Sequence, residues 1–205
     1  MSIFAIADIH LSRAPGSDKP MDIFGSRWID HENRIARNWR DMVGEGDTVI
    51  IPGDISWGMK LEDAMYDLDW LSQLPGKKIL IKGNHDLWWT SMTKMTAFLE
   101  ANEFRTISFL HNNAYFYGED AAICGTRGWF YEESRGVTHD KKMIAREVLR
   151  LEASLKAAGE RPKLAFLHYP PLYRGYRCQE IIDLLERYQV KTCYYGHLHG
   201  GSHRL

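Results

Sequence analysis

The sequence lacks the features that mark several large classes of protein. No apolar run among its 205 residues approaches the length of a membrane-spanning helix, so we expect no membrane partner. The first residues carry neither the basic start nor the cleavage site of a secretory signal peptide. The three cysteines are an odd number without the spacing of a metal site, which favours free thiols in a reducing cytosol. These absences predict a cytoplasmic protein.

The sequence also lacks an excess of charge of either sign. Its 26 lysines and arginines face 27 aspartates and glutamates, and the formal net charge is −1. Proteins that bind long nucleic acids usually carry a basic surface, so a nucleic-acid partner is disfavoured, although a local basic groove stays open. No repeat or low-complexity tract divides the chain, and its length suits one domain with its own core. We therefore predict a single domain over residues 1–205.

Short β-rich apolar runs alternate with helical patterns along most of the chain. The predicted strands are 2–7, 48–52, 78–81, 114–117, 121–124, 163–167 and 192–195. The predicted helices are 31–43, 61–74, 87–99, 140–158 and 179–188. This alternation indicates an α/β protein with largely parallel strands. Residues 106–124 hold neighbouring strands without a helix, so part of the sheet should be antiparallel. An α/β/α or α/β/β/α sandwich fits this pattern.

Side chains that can bind metal follow five of the predicted strands. In chain order the motifs are Asp8-Ile9-His10, Gly53-Asp54, Gly83-Asn84-His85-Asp86, His168 and Gly196-His197-Leu198-His199. In α/β sheets the loops at the carboxyl ends of the strands carry the ligand site. Residues i and i+2 of an extended segment point the same way, so Asp8 and His10 can converge on one point. Each motif alone is common at a strand end, whereas five such motifs at five strand ends are not expected by chance.

This ordered set resembles the motifs of the calcineurin-like metallophosphoesterase superfamily. The motifs extend from residue 8 to residue 199, so the resemblance covers nearly the whole chain. It implies a four-layer α/β/β/α sandwich with two mixed central sheets and a metal site at the carboxyl ends of the strands. One departure is that Asp54 is followed by Ile55-Ser56-Trp57, where family members often have a second acidic residue. That second acidic residue is usually not a metal ligand. Its absence therefore affects how the loop after Asp54 is held in place and not the set of metal ligands.

The resemblance implies a role for each of the motif residues. One metal ion would be held by Asp8, His10 and His199, and the other by Asn84, His168 and His197, with Asp54 as the bridge. Mixed oxygen and imidazole ligands suit manganese, iron and zinc, so the expected cofactors are two divalent ions of this group. Two such ions, two carboxylates and a bridging hydroxide leave a single positive charge, which suits an anionic phosphate ester.

Four further residues are candidates for contact with the reacting groups. His85 could stabilise the developing charge or protonate the leaving oxygen, and Asp86 could fix its orientation and raise its pKa. Arg127 and Arg13 could each donate hydrogen bonds to a phosphate oxygen. A solvated surface arginine is the alternative interpretation of both.

The function predicted from these motifs is hydrolysis of a phosphoester by in-line attack of a metal-bridging hydroxide. A phosphodiester is favoured over a monoester, because a dianionic monoester usually requires more than one placed arginine. A nuclease or DNA-repair exonuclease of the same fold is the first alternative, and the near-zero net charge disfavours it. A non-catalytic scaffold is the second, and the presence of all seven ligand positions and of His85 disfavours it. The sequence leaves the oligomeric state open.

Overall fold

The computed structural model describes residues 1–17, 19–130 and 137–199. The chain divides into two compact units, of which the first is Met1–Phe109 and the second begins at Leu110. Each unit has its own sheet and its own hydrophobic core. None of the described helices combines the length and the apolar character needed to cross a membrane.

The first unit is built on a four-stranded parallel sheet. Its strands are β1 (Ile3–Ala5), β2 (Thr48–Pro52), β3 (Lys77–Ile81) and β4 (Ile107–Phe109), paired in that order. Its helices are α1 (His31–Met42), α2 (Leu61–Ser72) and α3 (Met92–Ala101), one in each connection between successive strands. Two 3-10 helices, Met21–Phe24 and Ser26–Trp28, precede α1. Because each connection contains a helix, each can make the long crossover that parallel pairing requires.

The core of the first unit lies against the central strand β2, all of whose residues are buried. Val49 and Ile51 belong to the buried cluster of this unit, together with Leu68 from α2. A strand that is buried on both faces usually has a nearly continuous apolar sequence. Such a sequence is easily recognised, which explains why this strand has the predicted bounds.

The second unit contains a mixed sheet and a small hairpin. The sheet has the order β10 (Thr192–Tyr195), β7 (Lys163–Leu167), β6 (Ala121–Thr126), β5 (Tyr115–Tyr117), and the hairpin pairs β8 (Leu172–Tyr173) with β9 (Tyr176–Arg177). Strand β5 is antiparallel to β6, as predicted for this stretch, and the other pairs are parallel. Helices α4 (Val137–Ala157) and α5 (Gln179–Arg187) connect the parallel strands.

The structure corrects the sequence-based prediction of several strands and helices. The prediction of two mixed sheets is wrong for the first unit, whose described strands are all parallel because a helix separates each successive pair. Strand β4 and the hairpin were not predicted, since segments of two or three residues are too short to show a periodicity. Helix α3 begins at Met92 instead of residue 87, because the Trp88 indole donates to Asp86 within a turn.

Candidate metal-binding site

The first predicted motif brings together two possible metal ligands at the end of β1. One ligand atom of Asp8 and one of His10 lie within 4.8 Å of each other. Their φ angles are 55° and 46°, so both residues have the left-handed backbone conformation. The extended backbone expected from the sequence is therefore wrong here, although the side chains converge as expected.

Backbone hydrogen bonds to the neighbouring loop hold this unusual conformation. The Asp8 N–H donates to the Gly53 carbonyl at 3.1 Å, and the His10 N–H donates to the Asp54 carbonyl at 3.0 Å. The His31 ring adds a third support, with Nε2 3.1 Å from the carbonyl oxygen of Ile9. Sequence patterns did not identify His31, because it belongs to no motif and only the fold brings α1 to this loop.

Asp54 lies at the end of β2 and is almost completely buried. Its backbone is also left-handed, with φ at 53°. Its Oδ1 accepts a 2.8 Å hydrogen bond from the His85 N–H, and its Oδ2 lies 3.8 Å from His10 Nε2. Burial, and then repulsion by Asp86, raises the pKa of Asp54 to about 8. A buried carboxylate with acidic neighbours is stabilised by a cation, so this position fits a metal ligand.

Gly83 permits the close approach of the loops that follow β2 and β3. A Cβ atom at this position would lie 2.1 Å from the backbone nitrogen of Asp54 and 2.2 Å from Asp54 Oδ1. Any larger residue would displace the Asp54 carboxylate. The glycine of this motif is therefore required by steric contact with a predicted ligand.

Asp86 has a different environment from the one expected of a partner for His85. It is fully buried, and its Oδ1 accepts hydrogen bonds from the N–H groups of Ile55 and Ser56 and from the Trp88 indole. Its Oδ2 accepts from the N–H groups of Asp54 and Gly83. Burial raises the pKa of Asp86, and these donors oppose that effect. The carboxylate therefore supports the two loops, and the expectation that it orients His85 is wrong.

His85 and Asn84 follow β3 in the same loop, and both are half-buried. The His85 ring centroid lies 4.5 Å from that of Trp57 and 5.7 Å from that of His10. Trp57 also stacks on His10, with a centroid distance of 5.1 Å and an interplanar angle of 22°. One indole thus contacts a predicted ligand and the predicted catalytic histidine.

The structure places Arg13 in a local ion pair. Its guanidinium contacts the Glu32 carboxylate and lies 5.6 Å from the ring centroid of Trp70. These contacts favour the interpretation of Arg13 as a surface arginine over its predicted contact with substrate phosphate.

The second unit brings together His168 and His197. His168 is fully buried after β7, and its N–H donates to the Arg127 carbonyl at 3.1 Å. His197 follows β10 with a φ of 68°, and one ligand atom of each ring lies within 4.8 Å of the other. The ring centroids of Tyr169 and His197 are 4.6 Å apart. His199 is exposed and is the last residue that the structure describes.

Arg127 is held by a buried acid that the sequence analysis did not single out. Its guanidinium lies 4.9 Å from the Trp129 ring centroid, and its Nη2 lies 3.7 Å from Glu147 Oε1. Glu147 is fully buried on α4 and also accepts a 2.6 Å hydrogen bond from the Thr126 hydroxyl. Within the described residues, Arg127 Nε is buried without a hydrogen-bond partner. An arginine with an unused donor can bind an anion, and contact between Arg127 and a phosphate stays a prediction.

A protein-family model matches nearly the whole chain. Residues 1–201 match the family model described as calcineurin-like phosphoesterase. The chain therefore belongs to the calcineurin-like phosphoesterase family.

Two phage proteins are similar over part of the chain. The Gene 66 protein of Mycobacterium phage L5 is 46% identical over 57 residues, which are 28% of this chain and 27% of that protein. The Gene 66 protein of Mycobacterium phage D29 is 36% identical over 85 residues, which are 42% of this chain and 40% of that protein. The matched part thus spans less than half the length of either relative.

Solved structures are also similar over most of the chain, and one of them has a named activity. Phosphopantetheinyl hydrolase (PptH) from Mycobacterium tuberculosis has a TM-score of 0.57 and 17% sequence identity, and the match covers 96% of this chain and 82% of that one. At this identity the similarity concerns the fold alone.

Proposed function

We propose that this chain is a metal-dependent phosphohydrolase. The observation that carries the proposal is the backbone of four of the seven predicted ligands, Asp8, His10, Asp54 and His197, which is left-handed. Non-glycine residues rarely adopt this conformation, which costs about 1 kcal/mol or more at each position. Such strain clusters at functional sites, and four of the nine described non-glycine residues with a positive φ are predicted metal ligands.

The proposed ligand set is the one expected from the family. Two divalent ions, manganese, iron or zinc, would be held by Asp8, His10, Asp54, Asn84, His168, His197 and His199. When bound, the ions would supply a hydroxide at neutral pH for in-line attack on phosphorus. Membership of the family and the raised pKa of the buried Asp54 carboxylate support this assignment. The four-layer sandwich and the single domain over residues 1–205 belong to the same proposal.

The residues of this chain have separate tasks in the proposed reaction. His85 donates a hydrogen bond or a proton to the leaving oxygen, and Trp57 packs against its ring. Arg127 donates to a non-bridging phosphate oxygen. Asp86 does not contact substrate and instead supports the loops that carry Asp54 and His85.

A phosphodiester is the proposed substrate class. A diester carries one negative charge at phosphorus, whereas a monoester carries two. Both arginines predicted to bind phosphate have an acidic neighbour, Glu32 for Arg13 and Glu147 for Arg127. Within the described residues, Arg127 keeps a buried Nε donor without a hydrogen-bond partner, so it is the proposed single donor to phosphate. A cytoplasmic location and the absence of a nucleic-acid partner remain predictions from the sequence.

Hydrolysis assays with metal-stripped protein test the proposal. Bis-p-nitrophenyl phosphate and p-nitrophenyl phosphate are compared during titration with Mn²⁺, for wild type, Asp54→Ala and the control Asp41→Ala on the exposed face of α1. We expect Mn²⁺-dependent release that is faster with the diester, abolished by Asp54→Ala and unchanged by Asp41→Ala. No release from either compound with Mn²⁺, Fe²⁺, Zn²⁺ or Co²⁺ would contradict the phosphohydrolase.

A further inference from the structure

A cavity of about 570 Å³ in the first unit is lined by Trp28, whose ring contacts that of His10. We call it the His10-side cavity and define it by Arg13, Lys19, Asp22, Trp28, Asp30 and Glu32, which line it. Its volume falls in the range of small-molecule sites. The residue that links it to the predicted metal ligands is Trp28, whose ring contacts that of His10 at a centroid distance of 5.7 Å.

A second indole connects the cavity with the proposed catalytic histidine. The Lys19 ammonium lies 5.6 Å from the ring centroid of Trp57, and Trp57 packs against both His10 and His85. The Trp57 indole N–H is directed to the sulfur of Met21, at 3.3 Å. A substituent on a phosphate near His10 and His85 would therefore lie close to the indole rings of Trp28 and Trp57.

The charges around the His10-side cavity decide which substituent suits it. Its lysine and arginine are outnumbered by three carboxylates, which gives a formal charge of −1 with His31 neutral. Arg13 is already paired with Glu32. Within the described part of the chain, the Asp22 side chain takes part in no ion pair or hydrogen bond, and Asp30 accepts one from Asn33 at 2.6 Å. Outside the pair of Arg13 and Glu32, the lining thus offers two carboxylates, Asp22 and Asp30, and one ammonium, that of Lys19.

We infer that the His10-side cavity binds an uncharged, hydroxyl-bearing ring of the phosphoester, a sugar or a nucleoside, and disfavours a second phosphate. The inference rests on the proposed phosphohydrolase function. Carboxylates accept hydrogen bonds from hydroxyl groups, and indole rings stack on the faces of apolar or aromatic rings. A second phosphate would instead meet the carboxylates of Asp22 and Asp30, which outnumber the Lys19 ammonium, and like charges repel.

Two thymidine esters that differ by one phosphate test the inference. The p-nitrophenyl ester of thymidine 5′-phosphate is compared with the same compound carrying a 3′-phosphate, at saturating Mn²⁺. We expect kcat/KM to be at least about tenfold higher for the 3′-hydroxyl compound. Equal values, or a preference for the 3′-phosphate, would overturn the inference while leaving the phosphohydrolase intact. Failure to hydrolyse these esters and bis-p-nitrophenyl phosphate would instead remove the proposed function.

A charge-changing variant shows whether this cavity causes the preference. Asp22→Lys combined with Asp30→Asn changes the formal charge of the lining from −1 to +2. Asparagine is chosen because residue 30 has a φ of 53°, a conformation that asparagine tolerates. We expect the ratio of kcat/KM for the 3′-hydroxyl compound to that for the 3′-phosphate compound to fall to about 1 or below. The control Asp41→Lys combined with Asp120→Lys changes exposed residues elsewhere and should keep the wild-type ratio. An unchanged ratio in the cavity variant would overturn the inference.

Inhibition by compounds that lack phosphate distinguishes binding of a sugar from binding of a nucleoside in this cavity. Hydrolysis of bis-p-nitrophenyl phosphate is measured with added thymidine or methyl riboside. Competitive inhibition by both compounds supports recognition of the sugar, and inhibition by thymidine alone supports recognition of a nucleoside. Inhibition by neither compound at millimolar concentration would contradict the inference.

Discussion

The backbone N–H of Asp54 donates a 3.0 Å hydrogen bond to Oδ2 of Asp86. This bond connects the loops that follow two neighbouring parallel strands, β2 and β3. The same carboxylate oxygen also accepts the N–H of Gly83 at 2.7 Å. The position of a predicted bridging ligand is thus set by a buried acid that belongs to the next motif along the chain.

Replacing Asp86 by asparagine should destabilise the fold and the metal site together. An amide places an NH₂ group against at least two of the N–H donors that now face a carboxylate oxygen. Leaving buried donors unpaired in this way costs about 3 kcal/mol or more. We expect a lower midpoint of urea unfolding and weaker Mn²⁺ binding by calorimetry. Asp41→Asn, on an exposed helical face, is the matched control. Normal stability in Asp86→Asn would refute the supporting role.

Replacing Gly83 by alanine should displace the Asp54 carboxylate. The added methyl group would lie 2.1 Å from the Asp54 nitrogen, and relief of such a clash costs about 3 kcal/mol. The metal content of the purified protein, measured by atomic emission, should fall with activity. Gly46→Ala adds a methyl group that meets no atom within 4 Å, and this variant should keep both properties. Full metal content in Gly83→Ala would show that the loop adapts.

Replacing His85 by alanine should reduce the rate without removing the metal ions. His85 is proposed to contact the leaving oxygen, and loss of a general acid lowers kcat by about 10² or more. The loss should be smaller for p-nitrophenolate, which leaves without a proton, than for an alkoxide leaving group. Metal content serves as the control in the same preparation. A variant with wild-type kcat on both leaving groups would contradict the proposed role.

Replacing Arg127 by alanine should raise KM for a phosphodiester by about tenfold, because it removes one charge-assisted hydrogen bond. Arg150 contacts the same Glu147 carboxylate at 2.5 Å from a more exposed position. Arg150→Ala therefore also removes a cationic partner of Glu147. It tests whether a change in KM arises from the altered environment of Glu147 instead of from a lost contact between Arg127 and substrate. Equal changes in KM in both variants would count against direct contact between Arg127 and substrate.

The buried Lys78 should make the stability of the fold depend on pH above neutrality. Lys78 is fully buried, its ammonium donates to the carbonyl oxygens of Leu74 and Gly76, and burial lowers its pKa to about 8. The unfolded chain keeps this proton up to a pH of about 10.5. The unfolded state thus binds more protons between pH 8 and about 10.5, and stability rises with pH there, by up to about 3 kcal/mol.

The variant Lys78→Met isolates this contribution to stability. Urea unfolding of wild type and variant from pH 7.5 to 10 should give a difference that increasingly favours wild type. Lys77→Met, at the neighbouring exposed position, should show no such change. A difference that stays constant over this range would show that the pKa of Lys78 is not lowered.

Much of the secondary structure could be predicted from local pattern. Strand β2 has the predicted bounds because all five of its residues are buried and its centre, Val49-Ile50-Ile51, is an uninterrupted apolar run. Helix α1 differs from the prediction by one residue, since its apolar face has a clear helical period. The start of α3 was missed because Trp88 and Trp89 share the apolar pattern of a helix but pack into the core through a turn.

The sequence by itself determined which residues are candidate ligands, because each motif is a short contiguous segment and the order of the motifs is visible in the sequence. The tertiary structure decided the tasks of their neighbours. It made Asp86 a support for two loops, paired Arg13 with Glu32, and buried Glu147 beside Arg127. The physical reason is that a hydrogen bond or an ion pair depends on distance and burial. For residues as far apart in the chain as Arg127 and Glu147, both are set only when the strands and helices pack.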